Sequence, residues 1–390
     1  MIFILPPQTA FANPPLSTTP WRGAAFSGDR AALEKLAAAG ANAVRVYHER
    51  DAWVLDEARK LGIGVLMGLD VGLPRQGFRL DDPKAVAAQE NRIRAFVQRY
   101  RKHPALLAWV IGNEVEHGMP DPMPSWREID RLAGVVKKLD PAHPAVMSVN
   151  DGDAQYLKRL AGCCAHIDMI GINLYANAAF GLDERIRAAG IGKPLLITEL
   201  GPLGQWQAGR KPWGAPVEFT SREKADYFRR VLAELGKNPQ VRGTFAFLWG
   251  VKQEQTATWH SLLLSDNTLT EMTDALSEAW GRPPARPAPS ILGIGISADV
   301  FAPGAVVSST IDVRGENLVT GWLVRKEATE LGGGGEAEPL PEPVGVEVLS
   351  AGTSSIRFHA PSIPGAYRLF ITVRDGNGKA ATANLPFLVK

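Results

Sequence analysis

The chain has 390 residues, more than one ordinary domain, so we expect one large domain with a smaller one, or a barrel with an appendage. Its 43 Lys and Arg residues nearly balance its 41 Asp and Glu residues, which excludes a broad basic field for nucleic acid or an anionic membrane. No apolar stretch reaches about 20 residues, so the sequence predicts no membrane span and favours a neutral or weakly charged ligand.

The first residues are mostly apolar and end in Ala10-Phe11-Ala12, which is similar to the site at which a secretory signal is cut. A basic segment is absent, and two adjacent prolines interrupt the apolar run. We therefore expect residues 1–12 to be an export-signal remnant or an N-terminal arm. Export would place the protein in the periplasm or outside the cell; without it the protein is cytoplasmic.

From about residue 21 to residue 280, short β-branched or apolar runs alternate with longer segments of helical period, as in successive βα units. Eight such units match a (β/α)8 barrel, whose typical length is about 250 residues. An open doubly wound sheet is the alternative, but the phosphate-binding G-x-G-x-x-G turn is missing after the first strand. The predicted strands are 23–26, 43–47, 64–69, 107–112, 145–149, 169–174, 195–198 and 243–249.

Between these strands, apolar stripes at helical spacing predict helices with recognisable ends. Gly40 is placed to end the predicted helix 29–39. Asp82 is placed to cap the predicted helix 83–100, which begins with Pro83. Ser125 and Glu128 have the spacing of a capping box. The predicted helices with the clearest stripes are 29–39, 83–100, 125–139 and 220–235.

The composition changes after the barrel, where prolines and arginines predict a stiff linker over residues 282–290. Residues 291–390 contain short strand-like runs separated by turns, which predicts an immunoglobulin-like β-sandwich. The predicted domains are therefore a catalytic barrel over residues 13–281 and a sandwich over residues 291–390. Strands of the sandwich are predicted at 308–314, 344–349, 355–359 and 367–374.

Cys163 and Cys164 are adjacent, a spacing that excludes an ordinary disulfide framework and the common zinc-ligand patterns. We interpret them as two small core thiols, in preference to a strained vicinal disulfide or a redox site.

Two carboxylates lie where predicted strands end. Glu114 follows the apolar run 107–112 and Asn113, and Glu199 follows the run 195–198. Strand ends of a closed barrel face each other across its mouth, where barrel active sites are built. Retaining cleavage of a glycosidic bond needs two carboxyls roughly 5 to 5.5 Å apart, an acid and a nucleophile. The alternative is that Glu114 and Glu116 are solvated loop carboxylates.

Three motifs in chain order, at residues 103–114, 171–175 and 197–199, resemble clan A of the glycoside hydrolases. Together they resemble the catalytic barrel of family 2, and the β-1,3-glucan hydrolases and transferases of the clan are also similar. This resemblance extends over most of residues 21–280.

The resemblance implies that Glu114 is the acid/base and Glu199 the nucleophile. It implies that Asn113 hydrogen-bonds the sugar 2-hydroxyl, a contact that strengthens in the transition state. Arg45 is similar to the arginine that holds the nucleophile, and Tyr175 to the tyrosine that donates to it. The alternatives are a structural ion pair for Arg45 and a core tyrosine for Tyr175.

Trp249 resembles the platform tryptophan of the clan, on which the apolar face of a sugar stacks. Trp206, Trp213 and Trp259 follow on later loops and are candidates for further subsites or for packing. Polar contacts to sugar hydroxyls are predicted for the strand-end residues His48, Glu49, Asp70, Asn150, Asn173 and His260.

Together these features predict a retaining glycoside hydrolase that acts on a β-linked oligosaccharide or polysaccharide, with a β-glucan as the preferred substrate. A transglycosylase with the same residues and a non-catalytic carbohydrate-binding protein on a decayed barrel are the alternatives. No metal or organic cofactor is implied, because two carboxylates supply the acid, the base and the nucleophile.

Overall fold

The computed structural model describes residues 20–332 and 338–390, and within them eight parallel strands close into a barrel in chain order. The prediction of a (β/α)8 barrel is therefore confirmed. The strands are β1 Trp21–Ser27, β2 Ala43–Val46, β3 Gly64–Leu69, β4 Leu106–Asn113, β5 Ala145–Asn150, β6 Met169–Tyr175, β7 Leu195–Gly201 and β8 Val241–Gly250. The helices are α1 Arg30–Ala38, α2 Trp53–Leu61, α3 Pro83–Tyr100, α4 Met123–Leu139, α5 Ala154–Ala161, α6 Leu182–Ala189, α7 Ser221–Leu235 and α8 Glu271–Ala279.

The predicted export segment, residues 1–12, lies outside the described residues. Within the two described ranges, none of the helices has both the length and the hydrophobicity required to cross a bilayer.

The helix ends show how local sequence sets the element boundaries. Asp82 accepts hydrogen bonds from backbone N–H groups two and three residues further on and so begins α3, as predicted. At α7, Thr220 and Glu223 form a reciprocal capping box. The capping box predicted at Ser125 is wrong, because α4 already begins at Met123 and Ser125 lies buried inside it.

The alternation of side chains along the strands produces an apolar core on each side of the barrel wall. Leu66, Val110 and Phe245 belong to the core inside the barrel. Val44 and Val46, on β2, belong to the larger core between the strands and the helices. Burying one such side chain contributes about 1.5–3 kcal/mol, so these layers form a rigid base under the strand ends.

The C-terminal part of the chain forms two sheets around one apolar core that includes Phe358, Leu369 and Phe387. In the described residues, one sheet has the order β10-β12-β15-β14, and the other has the order β11-β17-β16-β13 with β9 added against β17. The strands are β9 Leu269–Thr270, β10 Ser290–Ile296, β11 Val300–Phe301, β12 Val306–Arg314, β13 Val319–Lys326, β14 Val348–Ala351, β15 Ser355–His359, β16 Gly365–Arg374 and β17 Lys379–Val389. The strand predicted at 344–349 begins instead at Val348.

Strand β9 comes from the barrel segment, between β8 and α8, and yet pairs with the C-terminal sheet. Leu269 lies opposite Lys379 and Thr270 opposite Ala380, in parallel register. Lys379 also forms an ion pair of 2.6 Å with Asp274 on α8. Backbone pairing and a partly buried charge pair therefore join the sheet to the barrel beside the predicted linker.

Cys163 and Cys164 form a disulfide, so the interpretation of two free thiols is wrong. The pair lies in the connection from α5 to β6, on the face of the barrel opposite the strand carboxyl ends. In a barrel this is the face of structural support and not of catalysis.

Candidate active site

Polar side chains from β2, β4, β6 and β7 converge at the carboxyl ends of the strands. Arg45 donates from Nη1 to Oε1 of Glu199 at 3.2 Å and from Nη2 to Oδ1 of Asn113 at 2.7 Å. Nδ2 of Asn173 donates to Oδ1 of Asn113 at 3.1 Å and to Oε1 of Glu114 at 2.8 Å. A continuous hydrogen-bonded path therefore joins the two glutamates that the sequence places far apart.

Glu199 lies in β7, is 6% exposed, and accepts hydrogen bonds on both carboxylate oxygens. The Tyr175 hydroxyl donates to Oε2 at 2.6 Å, and the Tyr47 hydroxyl donates to Oε1 at 2.8 Å. Burial raises the pKa of both tyrosines well above the ordinary value, so their hydroxyls stay protonated and act as donors. With Arg45, these donors orient the carboxylate and stabilise its negative charge.

Glu114 follows β4 in an uncommon backbone conformation. Its φ of +45° lies in the left-handed region, which costs about 1–3 kcal/mol for a residue with a side chain. The main chain is held on both sides: the Glu114 N–H donates to the Ser148 carbonyl at 2.9 Å, and Arg75 donates to the Glu114 carbonyl at 2.6 Å. Such strain persists where surrounding contacts fix it, as they do here, and it aims the carboxyl toward Asn173.

The environment of Glu114 differs from that of Glu199. Burial, and next the negative charge of Glu199, raise the pKa of Glu114 to about 7, against the opposing hydrogen bond from Asn173. The Glu114 carboxyl therefore keeps a proton up to near-neutral pH. Its pKa depends on the charge of its neighbour, so any event that neutralises Glu199 makes Glu114 a stronger acid and a weaker base.

A second layer of polar groups fixes the amides beneath the carboxylates. Thr198 donates from Oγ1 to Oδ1 of Asn173 at 2.8 Å, and its carbonyl accepts from Arg45 at 2.6 Å. Ser148 lies 2.9 Å from the Thr198 hydroxyl. Because Oδ1 of Asn173 faces these groups, its Nδ2 group must face Glu114, and the site is organised before any substrate binds.

Tyr47, Ser148, Thr198 and Arg75 complete the site and were not predicted. The signal for Tyr47 was available, since it follows Arg45 by two residues and therefore points to the same face of the strand. Glu116 is not the solvated loop carboxylate of the alternative interpretation. It is instead 3% exposed, accepts from the Tyr156 hydroxyl at 2.6 Å, and has its pKa raised by burial.

Trp249 does not lie at the barrel mouth, so its prediction as a sugar platform is corrected. Its side chain is completely buried in the outer core, with its ring 6.3 Å from that of Trp280. Its indole N–H donates to the carbonyl of Ala32 on α1 at 2.8 Å. Trp249 therefore fastens β8 to the helical layer.

A register shift between β1 and β8 explains why Trp249 faces outward. Ala24 lies opposite Ala246, but Phe26 lies opposite Trp249, so β8 carries one additional residue between these pairs. An additional residue moves the following side chains to the other face of a strand. Phe247, two residues after the inward-facing Phe245, keeps the inward position near the mouth and forms a small apolar cluster with Ala25 and Leu248.

The remaining predicted tryptophans differ in position. Trp206 is 54% exposed and lies over the site, with its ring centroid 5.3 Å from that of Tyr175. Trp259 is corrected: it is 1% exposed, and its indole donates to the Leu203 carbonyl at 2.9 Å, so it is a packing residue. Trp213 is partly buried, and its Nε1 has no hydrogen-bond partner among the described residues, so its subsite role stays a prediction.

A wall of mixed polar and aromatic groups stands beside Tyr175. The ring of His260 lies 5.5 Å from that of Tyr175, and its Nε2 is 3.2 Å from Oε1 of Gln205. Gln205 donates in turn to Glu254 at 3.0 Å, and Lys252 contacts the same carboxylate. Burial lowers the pKa of His260 to about 4, so its ring is neutral near pH 7.

Partly exposed groups form the opposite rim. His48 contacts Asp70 at 2.7 Å, and the backbone N–H of Glu49 donates to the same carboxylate at 3.1 Å. Asn150 lies further along and donates through its backbone to Glu116. Of the predicted polar contacts, Asn173 alone directly bonds a glutamate of the pair in the described residues. The described ranges contain no group of three or more His, Cys, Asp or Glu placed to hold a metal ion.

The closed parallel barrel carries this pair of carboxyls at the carboxyl ends of its strands. Residues 36–201 match the family model described as the TIM barrel domain of glycosyl hydrolases family 2. This match confirms the recognition of clan A from the sequence motifs.

Solved structures show the same fold at low identity. A β-glucuronidase 2 of Bacteroides uniformis is 16% identical with a TM-score of 0.53, over 96% of this chain and 46% of that one. An endo-β-1,4-mannanase of Thermotoga petrophila is 14% identical with a TM-score of 0.51, over 96% and 98%. A β-D-glucuronidase of Dictyoglomus thermophilum is 18% identical with a TM-score of 0.54, over 68% and 51%. The chain thus spans about half the length of these glucuronidases.

Proposed function

We propose that the protein is a retaining β-glycosidase in which Glu199 is the nucleophile and Glu114 the acid/base. One observation carries the proposal: a single hydrogen-bonded network joins two carboxyls that lie in different environments. Arg45 and two tyrosines stabilise the charge of Glu199, whereas burial and that charge keep Glu114 protonated. An acid and a nucleophile in adjacent environments are what the double-displacement reaction requires.

In the first step, an oxygen of Glu199 attacks the anomeric carbon and the bond from this carbon to the glycosidic oxygen breaks. Glu114 gives its proton to the departing oxygen. Oδ1 of Asn113 already accepts from Arg45 and Asn173, so its Nδ2 group is the part left to donate to the sugar 2-hydroxyl.

In the second step, water attacks the anomeric carbon while Glu114 takes a proton from the water. The ester bond to Glu199 breaks and restores its carboxylate. Esterification removes the charge that raised the pKa of Glu114, which makes the carboxylate form accessible for this base role. The returning charge then favours reprotonation of Glu114.

The proposed substrate is a β-linked glycan, with a β-glucan preferred. Trp206 offers an exposed aromatic face at the mouth, on which a sugar ring can stack. The similar proteins are described as β-glucuronidases and as an endo-β-1,4-mannanase, which supports a β-linkage and leaves the sugar to experiment.

The test is turnover of aryl β-glucoside, β-glucuronide and β-mannoside, with β-glucan and β-mannan as polymers. Glu114→Gln and Glu199→Gln should each abolish turnover. Glu234→Gln, which changes a half-buried carboxylate on α7 that pairs with Lys237, should not. NMR of the first product should show the β-anomer. Inverted product, or full activity in either site variant, would refute the proposal. Binding of a β-glycan without any turnover would instead favour a carbohydrate-binding protein.

The same glycosyl ester can be intercepted by a sugar hydroxyl in place of water. Transglycosylation therefore remains a second outcome at this site, and the exposed Trp206 beside Tyr175 is where an acceptor sugar could stack. Incubation with an oligosaccharide distinguishes the two, because a transferase yields products longer than the input and a hydrolase yields only shorter ones.

Two further proposals concern the rest of the chain. The C-terminal sheets are proposed to be an immunoglobulin-like sandwich, supported by their mainly antiparallel pairing around one core. Export is proposed from Ala10-Phe11-Ala12, and N-terminal sequencing of the protein from the periplasm or medium tests it.

A further inference from the structure

A buried arginine lies where the C-terminal sheets meet the barrel. Arg368, on β16, is 1% exposed, and its Nε and Nη2 bind Glu327 at 3.0 and 2.8 Å. Nη1 donates to Asn384 at 2.5 Å, and Nη2 donates to the carbonyl of Pro216 in the barrel at 2.8 Å. Burying a guanidinium is costly unless its donors are bound, and here each nitrogen has a partner.

This charge pair reaches a barrel loop, residues 251–263, which follows β8 and is called the β8 loop below. Gln255 donates from Nε2 to Oε1 of Glu327 at 2.8 Å, and its backbone N–H donates to Glu338 at 2.6 Å. Gln255 is 3% exposed and has a φ of +59°, in the left-handed region. Both the side chain and the main chain of one loop residue are therefore held by the C-terminal unit.

A second buried pair secures the residues that follow. Glu218 accepts from Lys224, from Thr256 in the β8 loop and from Asn384 of the C-terminal unit, each at 2.6 Å. Although burial alone would raise it, the pKa of Glu218 is lowered by the charge of Lys224 and by these hydrogen bonds. Lys224 also donates to the carbonyl of Thr258 at 2.8 Å. The loop is thus anchored from both units.

The β8 loop also supplies the wall of the candidate active site. Glu254, next to Gln255, accepts from Gln205, which lies 3.2 Å from His260 at the far end of the loop. His260 packs against Tyr175, the residue that donates to Glu199. Contacts therefore run without a gap from Arg368 to the proposed nucleophile.

We propose that Arg368 and Glu327 of the C-terminal unit are positioning residues for catalysis, acting through Gln255 to fix the β8 loop against Tyr175. The C-terminal unit then contributes to the geometry of the candidate active site by positioning the β8 loop. This inference rests on the proposed glycosidase function for its kinetic consequence, whereas its structural part stands without it.

Two variants test the link from opposite ends. Gln255→Asn keeps a residue that tolerates the left-handed backbone but shortens the side chain by one methylene, out of reach of Glu327. Arg368→Met removes the cation from the C-terminal side. The matched control is Lys379→Met, which also removes a cation from an ion pair between the same two units, at Asp274 and away from the β8 loop.

Hydrogen–deuterium exchange of peptides within 251–263 is the first readout. We expect Gln255→Asn and Arg368→Met to speed exchange there, and kcat/KM on the best aryl glycoside to fall about tenfold, since small misplacements at a site cost rate. Lys379→Met should change neither quantity, even where it lowers the urea midpoint as much. If Arg368→Met fails to fold, Gln255→Asn decides.

Unchanged loop exchange in both variants would overturn the proposal, as would an equal loss of kcat/KM in Lys379→Met. Faster exchange with full kcat/KM would show that the loop is held but not needed for catalysis, which also overturns it. If the wild-type protein cleaves no glycoside, the proposed function fails, and the exchange result still decides whether the C-terminal unit fixes the loop.

Discussion

The hydroxyl of Tyr175 lies 2.6 Å from Oε2 of Glu199. Arg45 and Tyr47 both donate to Oε1, so Tyr175 is the residue that donates to Oε2. Tyr175→Phe removes one hydrogen bond to a charged group, worth about 1.5–3 kcal/mol, and should lower kcat/KM about 10- to 100-fold. Tyr47→Phe should cost less, because Arg45 still binds Oε1. Steady-state kinetics on an aryl β-glycoside would contradict this if Tyr47→Phe were the more damaging change.

The pKa of Glu114, raised to about 7, predicts the basic side of the pH profile. Because the acid must be protonated, kcat/KM should fall as the pH rises through about 7. In Glu199→Gln the repelling charge is gone, so the pKa of Glu114 should drop. Carbon-13 NMR titration of the Glu114 carboxyl in both proteins measures this directly, and an unmoved titration would argue against coupling between the two carboxyls.

The same raised pKa has a consequence for stability. A carboxyl whose folded pKa exceeds its unfolded value of 4.5 binds more protons in the folded state than in the unfolded state. The free energy of unfolding therefore decreases as the pH rises from 4.5 toward 7. Glu114→Gln removes this penalty. The variant should therefore gain more stability over the wild type at pH 8 than at pH 4.5, as followed by urea unfolding. An equal difference at both pH values would contradict the linkage.

Glu116 should adjust the acid without touching substrate. Burial and the charge of Glu199 are the largest causes of the raised pKa of Glu114, and the negative charge of Glu116 raises this pKa further. Glu116→Gln should shift the basic limb of the pH profile to lower pH and leave its height largely intact. Glu234→Gln, which removes an equal charge from a half-buried residue on α7, is the control and should leave the limb in place.

Trp249 and Trp206 should separate stability from binding. Trp249→Phe loses the indole hydrogen bond to Ala32 and part of a completely buried ring, which should cost about 1–3 kcal/mol in urea unfolding with little change in KM. Trp206→Ala should leave stability nearly unchanged and raise KM for oligosaccharides, because its ring is largely exposed. A large increase of KM in Trp249→Phe would contradict the packing role of Trp249 and would support the predicted stacking of a sugar on its ring.

Strand periodicity and strand ends accounted for much of what the sequence predicted. An apolar strand buried in a barrel wall is recognisable from composition, and the residue after it is forced onto the catalytic face. Strand ends indicate Glu114 and Glu199, whereas Arg45 comes from the resemblance to the clan. The structure brings all three into one network, and their catalytic roles stay a proposal. The alternation of side chains along a strand also places Tyr47 on the same face as Arg45, so the sequence contains a signal for this residue as well.

What could not be predicted depends on contacts between distant segments. The outward turn of Trp249 comes from a register shift against β1, which the sequence of β8 alone does not contain. The buried pair of Arg368 and Glu327 looks like ordinary surface charge until the two units are packed together. The Cys163–Cys164 disulfide is a choice of bonding state that adjacent cysteines leave open.

Leu269 and Thr270 pair with β17, a strand that begins more than a hundred residues later in the chain. Separating the two units at the proline-rich linker would therefore remove β9 from β17, which keeps β16 and β11, and would expose the buried charge pairs to water. Heat should melt both units in one calorimetric transition whose van 't Hoff and measured enthalpies agree. The proline-rich linker would then connect two units that unfold together as one cooperative unit.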